Sequence, residues 1–122
     1  MLKVYTAPID YDGDKKKLDV TVKSGDETFA PTWRMVMKTK QGEMTWEEYR
    51  EEYYEMMRES YRQNQKRWQE LLSEEEIVLL CYCRSPEKCH RRLLAEMLAE
   101  AGADYEGDLK PEKDGGEEDE TQ

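Results

Sequence analysis

The sequence predicts an α/β domain with a short, mainly parallel sheet and one long helix. Three observations carry this. The elements run strand, strand, helices, strand, helix. The run "IVLLCYC", Ile77–Cys83, is continuously apolar, as in a parallel strand buried on both faces. Between Thr45 and Leu72, apolar residues recur at spacings of three and four, which marks one helix face.

The elements follow in order. "LKVYT", Leu2–Thr6, reads as a strand stopped by Pro8. "LDVTV", Leu18–Val22, alternates with period two and reads as a second strand. "TWRMVMK", Thr32–Lys38, reads as a short helix. Thr45 and Glu48 have the spacing of a capping box. Trp46, Tyr49, Tyr53, Met56, Met57, Tyr61, Asn64, Trp68 and Leu71 form the stripe that follows. Such a helix would be about 40 Å long at ~1.5 Å per residue, so a bend or break is expected. Its aromatic stripe reads as core rather than as a ligand box. Cys89 or His90 opens a helix to about Ala101, closed by Gly102. "ADYEG", Ala103–Gly107, is a last short strand. Residues 1–109 thus form one domain, and the acid-rich residues 110–122 are expected to be a disordered tail.

Composition bounds the function. The net charge is −10: residues 110–122 hold six acids and two lysines, leaving −6 on residues 1–109. That excess repels extended nucleic acid and anionic membrane, but not a small anion in a locally positive pocket. No signal peptide and no run of roughly 20 apolar residues is visible. Three cysteines, clustered and odd in number, do not form a secreted disulfide framework. A cytoplasmic protein with reduced thiols is expected.

The chemistry gathers in "CYCRSPEKCHRR", Cys81–Arg92. In parallel sheets ligands bind beyond the carboxyl ends of the strands. That rule brings Tyr5–Ala7, Lys23–Gly25 and the Cys83–Arg91 segment together. At 100° per residue, Leu94, Met97, Leu98 and Ala101 define the buried face of the last helix. Arg91 and His90, seven residues before Leu98 and Met97, point toward the sheet. A cation at a helix N-terminus opposes the macrodipole by roughly 0.3–1 kcal/mol. It needs either an anionic ligand, shared with helix N–H groups, or an internal carboxylate such as Asp10 or Asp19.

Three readings of the cysteines compete. Cys81, Cys83, Cys89 and His90 are zinc-ligand types, but C-x-C-x5-C-H is not the usual knuckle, and strand residues i and i+2 are roughly 6.6 Å apart. Cys89 sits at a helix start beside Arg91, which favours a thiolate, with Cys83 the other candidate. The pattern is not the C-x5-R cradle of cysteine phosphatases, because the sixth residue after Cys83 is Cys89. Cys81, inside the apolar run, reads as core. His90 is suited to general acid–base work or to capping its helix.

"VLLCYCRSPEKCHRRLLAEMLAEAG" resembles a motif of the domain-of-unknown-function family 488, or YeaO-like proteins, of bacteria and phages. "LDVTVKSGDETFAPTW" and "MTWEEYREEYYEMM" look like that family's upstream segments, so the likeness spans nearly residues 1–107. "CYCRSPEKCH" is also similar to a phage family grouped with Rossmann-like nucleotide-handling domains. The resemblance implies a small three-layer Rossmann-like domain and a nucleotide-related ligand. The positions matching its motifs are Lys23, Ser24, Pro31, Trp33, Cys83, Cys89, His90 and Arg91. Many YeaO-like proteins have an acid at the position of Cys83, which argues against a catalytic role there.

The expected function is to bind or process a small anionic metabolite, a nucleotide or its derivative. Arg91 and the helix N-terminus would hold phosphate, with Lys23 and Ser24 assisting. Trp33 or Tyr5 would stack on the base, Cys83 would border the ligand, and Cys89 and His90 would be the reacting or orienting groups. Two alternatives stand beside it: an acidic protein-interaction module of phage origin, and a small zinc-stabilised domain.

Overall fold

The computed structural model describes residues 1–82 and 89–109. Cys83 and the acidic segment 110–122 lie outside them. Four strands, β1 (Lys3–Pro8), β2 (Lys17–Asp19), β3 (Glu76–Cys81) and β4 (Asp104–Asp108), form one sheet in the order β2-β3-β1-β4. Every pairing is parallel. The four helices are α1 (Trp33–Lys40), α2 (Trp46–Gln63), α3 (Gln65–Leu72) and α4 (His90–Glu100). The domain is α/β, as expected, and its sheet is parallel throughout.

β1 and β3 form the centre, with Lys3 opposite Glu76 and Pro8 opposite Cys81. Their alternate residues face opposite ways. Leu2, Val4, Ile77 and Leu79 join the main core, which also takes the buried apolar residues of all four helices. Ala7, Val78 and Leu80 point the other way and are covered by Tyr11, with Tyr5, Ile9 and Leu109 packed beside them. Among the described residues, the layer on that second face is therefore loop side chains rather than helix.

Two elements differ from their sequence expectation. The alternation in "LDVTV" extends to Val22, yet β2 stops at Asp19. The Asp19 carboxylate accepts from the Thr21 backbone N–H at 2.8 Å and from the Ser24 hydroxyl at 2.5 Å, turning the chain away from the sheet. Gly25 completes this turn. A Cβ there would stand 2.4 Å from the Thr21 nitrogen and 2.5 Å from the Asp19 carbonyl, so only glycine fits.

The long helix is broken at Asn64, which ends α2 and precedes α3. α2 starts at the expected capping box, with Thr45 and Glu48 exchanging bonds of 3.1 and 2.9 Å. The break lets Trp68 pack edge-on against Phe29, centroids 4.9 Å apart, while its indole N–H reaches Ser60 at 3.1 Å. An unbroken helix would carry Trp68 onward along its own axis.

Tyr53, fully buried, donates its hydroxyl to the Phe29 carbonyl at 2.7 Å and so ties α2 to the loop before α1. Burial pushes its phenol well above the usual range, so it stays a neutral donor. Tyr53→Phe leaves that carbonyl without its phenol donor. Chemical denaturation should show a loss of about 1–3 kcal/mol.

Candidate functional site

A cavity of about 490 Å³ opens at the carboxyl ends of the strands. Each wall comes from a different element. Thr21, Val22 and Lys23 follow β2, Cys81 and Tyr82 end β3, and Cys89 and His90 begin α4. Trp33 and Lys40 belong to α1, and Trp46 and Tyr49 open α2. This is where a parallel sheet places its ligands.

Three buried groups meet at the floor. Suitable ligand atoms of Cys81, Cys89 and His90 all lie within 4.8 Å of one another. Cys81 Sγ is 3.7 Å from His90 Nδ1. On the other side of the ring, Nε2 is 2.6 Å from the Val20 carbonyl oxygen. A carbonyl only accepts, so Nε2 carries the hydrogen and donates it. In the neutral ring Nδ1 then holds the lone pair that faces the thiols. The turn at Asp19 supports this arrangement, because Val20 is the residue it holds. Burial raises the Asp19 pKa, but hydrogen bonds from Ser24 and Thr21 outweigh that and bring it below the usual value.

The walls are aromatic. Trp46 and Tyr49 stack with centroids 5.2 Å apart, Tyr49 and Tyr53 are nearly parallel at 6.4 Å, and Tyr53 leads to His90 at 5.6 Å. Trp33 and Tyr82 are 55% and 52% exposed, which leaves ring area open to a guest. Lys23 Nζ sits 6.0 Å from the centre of the Tyr82 ring, and Lys40 supplies a second cation to the lining.

Arg91 is completely buried, as its helical phase predicts. It is not among the residues that line the cavity. Its Nε and Nη2 donate to the two oxygens of Asp108 at 3.2 and 3.3 Å, and Nη1 to the Cys81 carbonyl at 3.5 Å. The internal carboxylate is thus Asp108, on β4, rather than Asp10 or Asp19. A β-bulge makes this pair possible. The β1–β4 register slips between Val4 and Tyr5, where β4 carries Glu106 as the extra residue, so Tyr5 pairs with Gly107, whose φ is +119°, and Thr6 pairs with Asp108. Without the extra residue Asp108 would turn to the opposite face of the sheet. The Thr6 hydroxyl donates to Asp108 at 2.6 Å and shares a 2.9 Å bond with Tyr105.

The structure therefore brings Lys23, Trp33, Cys89 and His90 to one cavity. Ser24 instead anchors the Asp19 turn, and Tyr5 lies on the other face of the sheet beneath Lys15, 4.9 Å from its ring centre. Cys83 lies outside the described residues. Cys81, Trp46 and Tyr49, which read as core in the sequence, are part of the wall. The signal for Cys81 was its parity with Ile77 and Leu79, which puts it on the helix-covered face with His90.

The fold is an all-parallel α/β domain with a thiol–imidazole cluster at its strand ends. The chain is a member of the DUF488-N3a family, described as the active DUF488-N3 subclade, whose model matches residues 1–102. The resemblance seen in the Cys-His-Arg segment is thereby upheld at family level. Comparison with curated proteins and with solved structures found no match. No helix among the described residues is long and apolar enough to cross a membrane.

Asp108→Asn should leave the Arg91 charge buried without its counter-charge. A loss of about 3 kcal/mol is expected by denaturant titration, at the low end for a buried pair because Asp108 retains some exposure. The double variant Arg91→Met with Asp108→Leu should recover most of it, since each removes the other's reason to be there.

Proposed function

We propose that the cavity binds a small anionic molecule carrying a planar ring, a nucleotide or nucleotide derivative, and presents it to Cys89 and His90. One observation carries this reading. Aromatic rings, two lysines and the thiol–imidazole cluster share a single cavity, at about 490 Å³ well within the size of small-molecule sites. A base stacks on Trp33 or Trp46, a contact of about 1–3 kcal/mol. Lys23, Lys40 and the N–H groups at the start of α4 face the anionic end. Arg91 serves by position. It holds the end of β3 and the start of α4 in register through the Cys81 carbonyl and Asp108. The imidazole lone pair takes a proton from a neighbouring thiol, giving a thiolate beside the bound molecule. That the family is described as active fits a site that does chemistry.

Mononucleotides should raise the melting temperature of the wild-type protein. Trp33→Ala and Lys23→Ala, both at exposed positions, should each weaken binding roughly tenfold by calorimetry, about 1.4 kcal/mol. The reading fails if no nucleotide shifts the folded protein, or if both variants bind unchanged.

The Cys81–Cys89–His90 cluster favours a second reading, a bound zinc ion. A tetrahedral zinc with ordinary Zn–S and Zn–N bonds sets its sulfur and nitrogen ligands about 3.6 Å apart, and Cys81 Sγ lies 3.7 Å from His90 Nδ1. Against zinc stood the unusual C-x-C-x5-C-H spacing, the separation of Cys81 from Cys83 and the adjacency of Cys89 and His90; the described cluster removes the second of these by joining Cys81 to residues across the loop. Elemental analysis of protein purified without chelator should find about one zinc per chain, and markedly less in Cys81→Ser or His90→Gln. Protein free of zinc that also takes none up on dialysis contradicts this reading.

A further inference from the structure

We infer that Cys81 and Cys89 close into a reversible disulfide when a low-molecular-weight disulfide reaches the cavity, so that the thiol redox balance switches the site. The bridge requires neither a nucleotide nor a metal. It silences both readings above, because it takes the thiolate of the first and two ligands of the second.

The geometry puts the two sulfurs within reach of each other. Both side chains are buried thiols, and their sulfurs are no more than 4.8 Å apart. A disulfide bond is about 2.0 Å long. Turning one cysteine from one staggered rotamer to another moves its sulfur by about 3 Å, which is long enough to cover the gap without moving β3 or α4. The two backbones are well placed for this. Cys81 ends β3 opposite Pro8, and Cys89 is the extended N-cap of α4. Both residues help to line the cavity, which gives a small reagent its way in although neither is more than 5% exposed. A hydrogen bond made by either thiol is no obstacle, since attack uses a lone pair of the sulfur.

The exchange balances in two steps. One sulfur attacks the oxidant, forms a mixed disulfide and releases one small thiol. The other sulfur attacks that mixed disulfide, forms the Cys81–Cys89 bond and releases the second small thiol. The two protein sulfurs are oxidised, the oxidant is reduced, and the protons of both protein thiols leave on the released thiols. In a reducing compartment such a bridge is transient, as a switch requires. His90 Nδ1, 3.7 Å from Cys81 Sγ, stands where it reports the change from thiol to bridge.

Full-length protein, reduced and freed of metal with a chelator, is exposed without denaturant to bis(2-hydroxyethyl) disulfide. Thiols that can be alkylated after unfolding should fall from three to one. The oxidised chain should weigh two hydrogens less than the reduced one, and peptide mapping should join Cys81 to Cys89. Cys83→Ser should bridge to the same extent. The His90 Nδ1 resonance should move on bridging and return with dithiothreitol. Wild-type protein that keeps all three thiols, or that stops at a mixed disulfide, overturns the switch. A bridge that includes Cys83 overturns it too. None of these readouts depends on nucleotide or zinc binding, so the switch and the readings above fail separately.

Discussion

A guanidinium with no exposure to water is the constraint around which this domain is arranged. Burying a charge costs several kcal/mol unless it is paired and hydrogen-bonded. Arg91 meets that demand with two bonds to Asp108 and a longer one to the Cys81 carbonyl. Those contacts join three successive elements: the end of β3, the start of α4 and the end of β4. Asp108 can answer only because the bulge before Gly107 turns it to the helix-covered face, where the Thr6 hydroxyl donates to it and in turn bonds Tyr105. An ion pair that looks like a stability device thereby sets the geometry of the neighbouring site.

The site inherits that geometry. His90 precedes Arg91 and Cys89 precedes His90, so fixing the guanidinium fixes the first turn of α4. Cys81 is held from β3. The third support is the turn after β2, where Asp19, Thr21, Ser24 and Gly25 hold Val20 so that its carbonyl meets the imidazole. The resulting cluster is held from three elements, and its residues help to line a cavity with aromatic walls and two lysines. The same positions suit a thiolate activated by imidazole and a zinc ion. The ligand set is common to both, and the identity of the bound group separates them.

Much of this was legible in the residues, for physical reasons. The parallel sheet followed from the apolar run at Ile77 and the order of elements. The inward aim of His90 and Arg91 followed from 100° per residue, because Leu94 and Leu98 fix the face of α4. What could not be read was tertiary. Asp108 faces Arg91 only through a bulge, and a one-residue slip of register leaves no periodic trace in so short a strand. Val22 continued an alternation that the side chain of Asp19 cuts short. Cys81 was weighed against its chain neighbour Cys83, where strand geometry keeps the sulfurs apart, rather than against Cys89 and His90 across the loop. Trp46 and Tyr49 share a stripe with Tyr53 and Met57, and nothing in that stripe says that its first turn borders a cavity.

The site depends on how His90 is held, and the chain contains a single histidine, so its nitrogens can be observed without assignment ambiguity. Nitrogen-15 spectroscopy of the folded protein at neutral pH is the most direct measurement. Nε2 should be protonated and protected from exchange by the Val20 carbonyl, and added zinc should move the Nδ1 resonance while Nε2 keeps its hydrogen. A bare Nε2, with the proton on Nδ1 alone, would contradict the arrangement, since the nitrogen facing Val20 would then have nothing to donate.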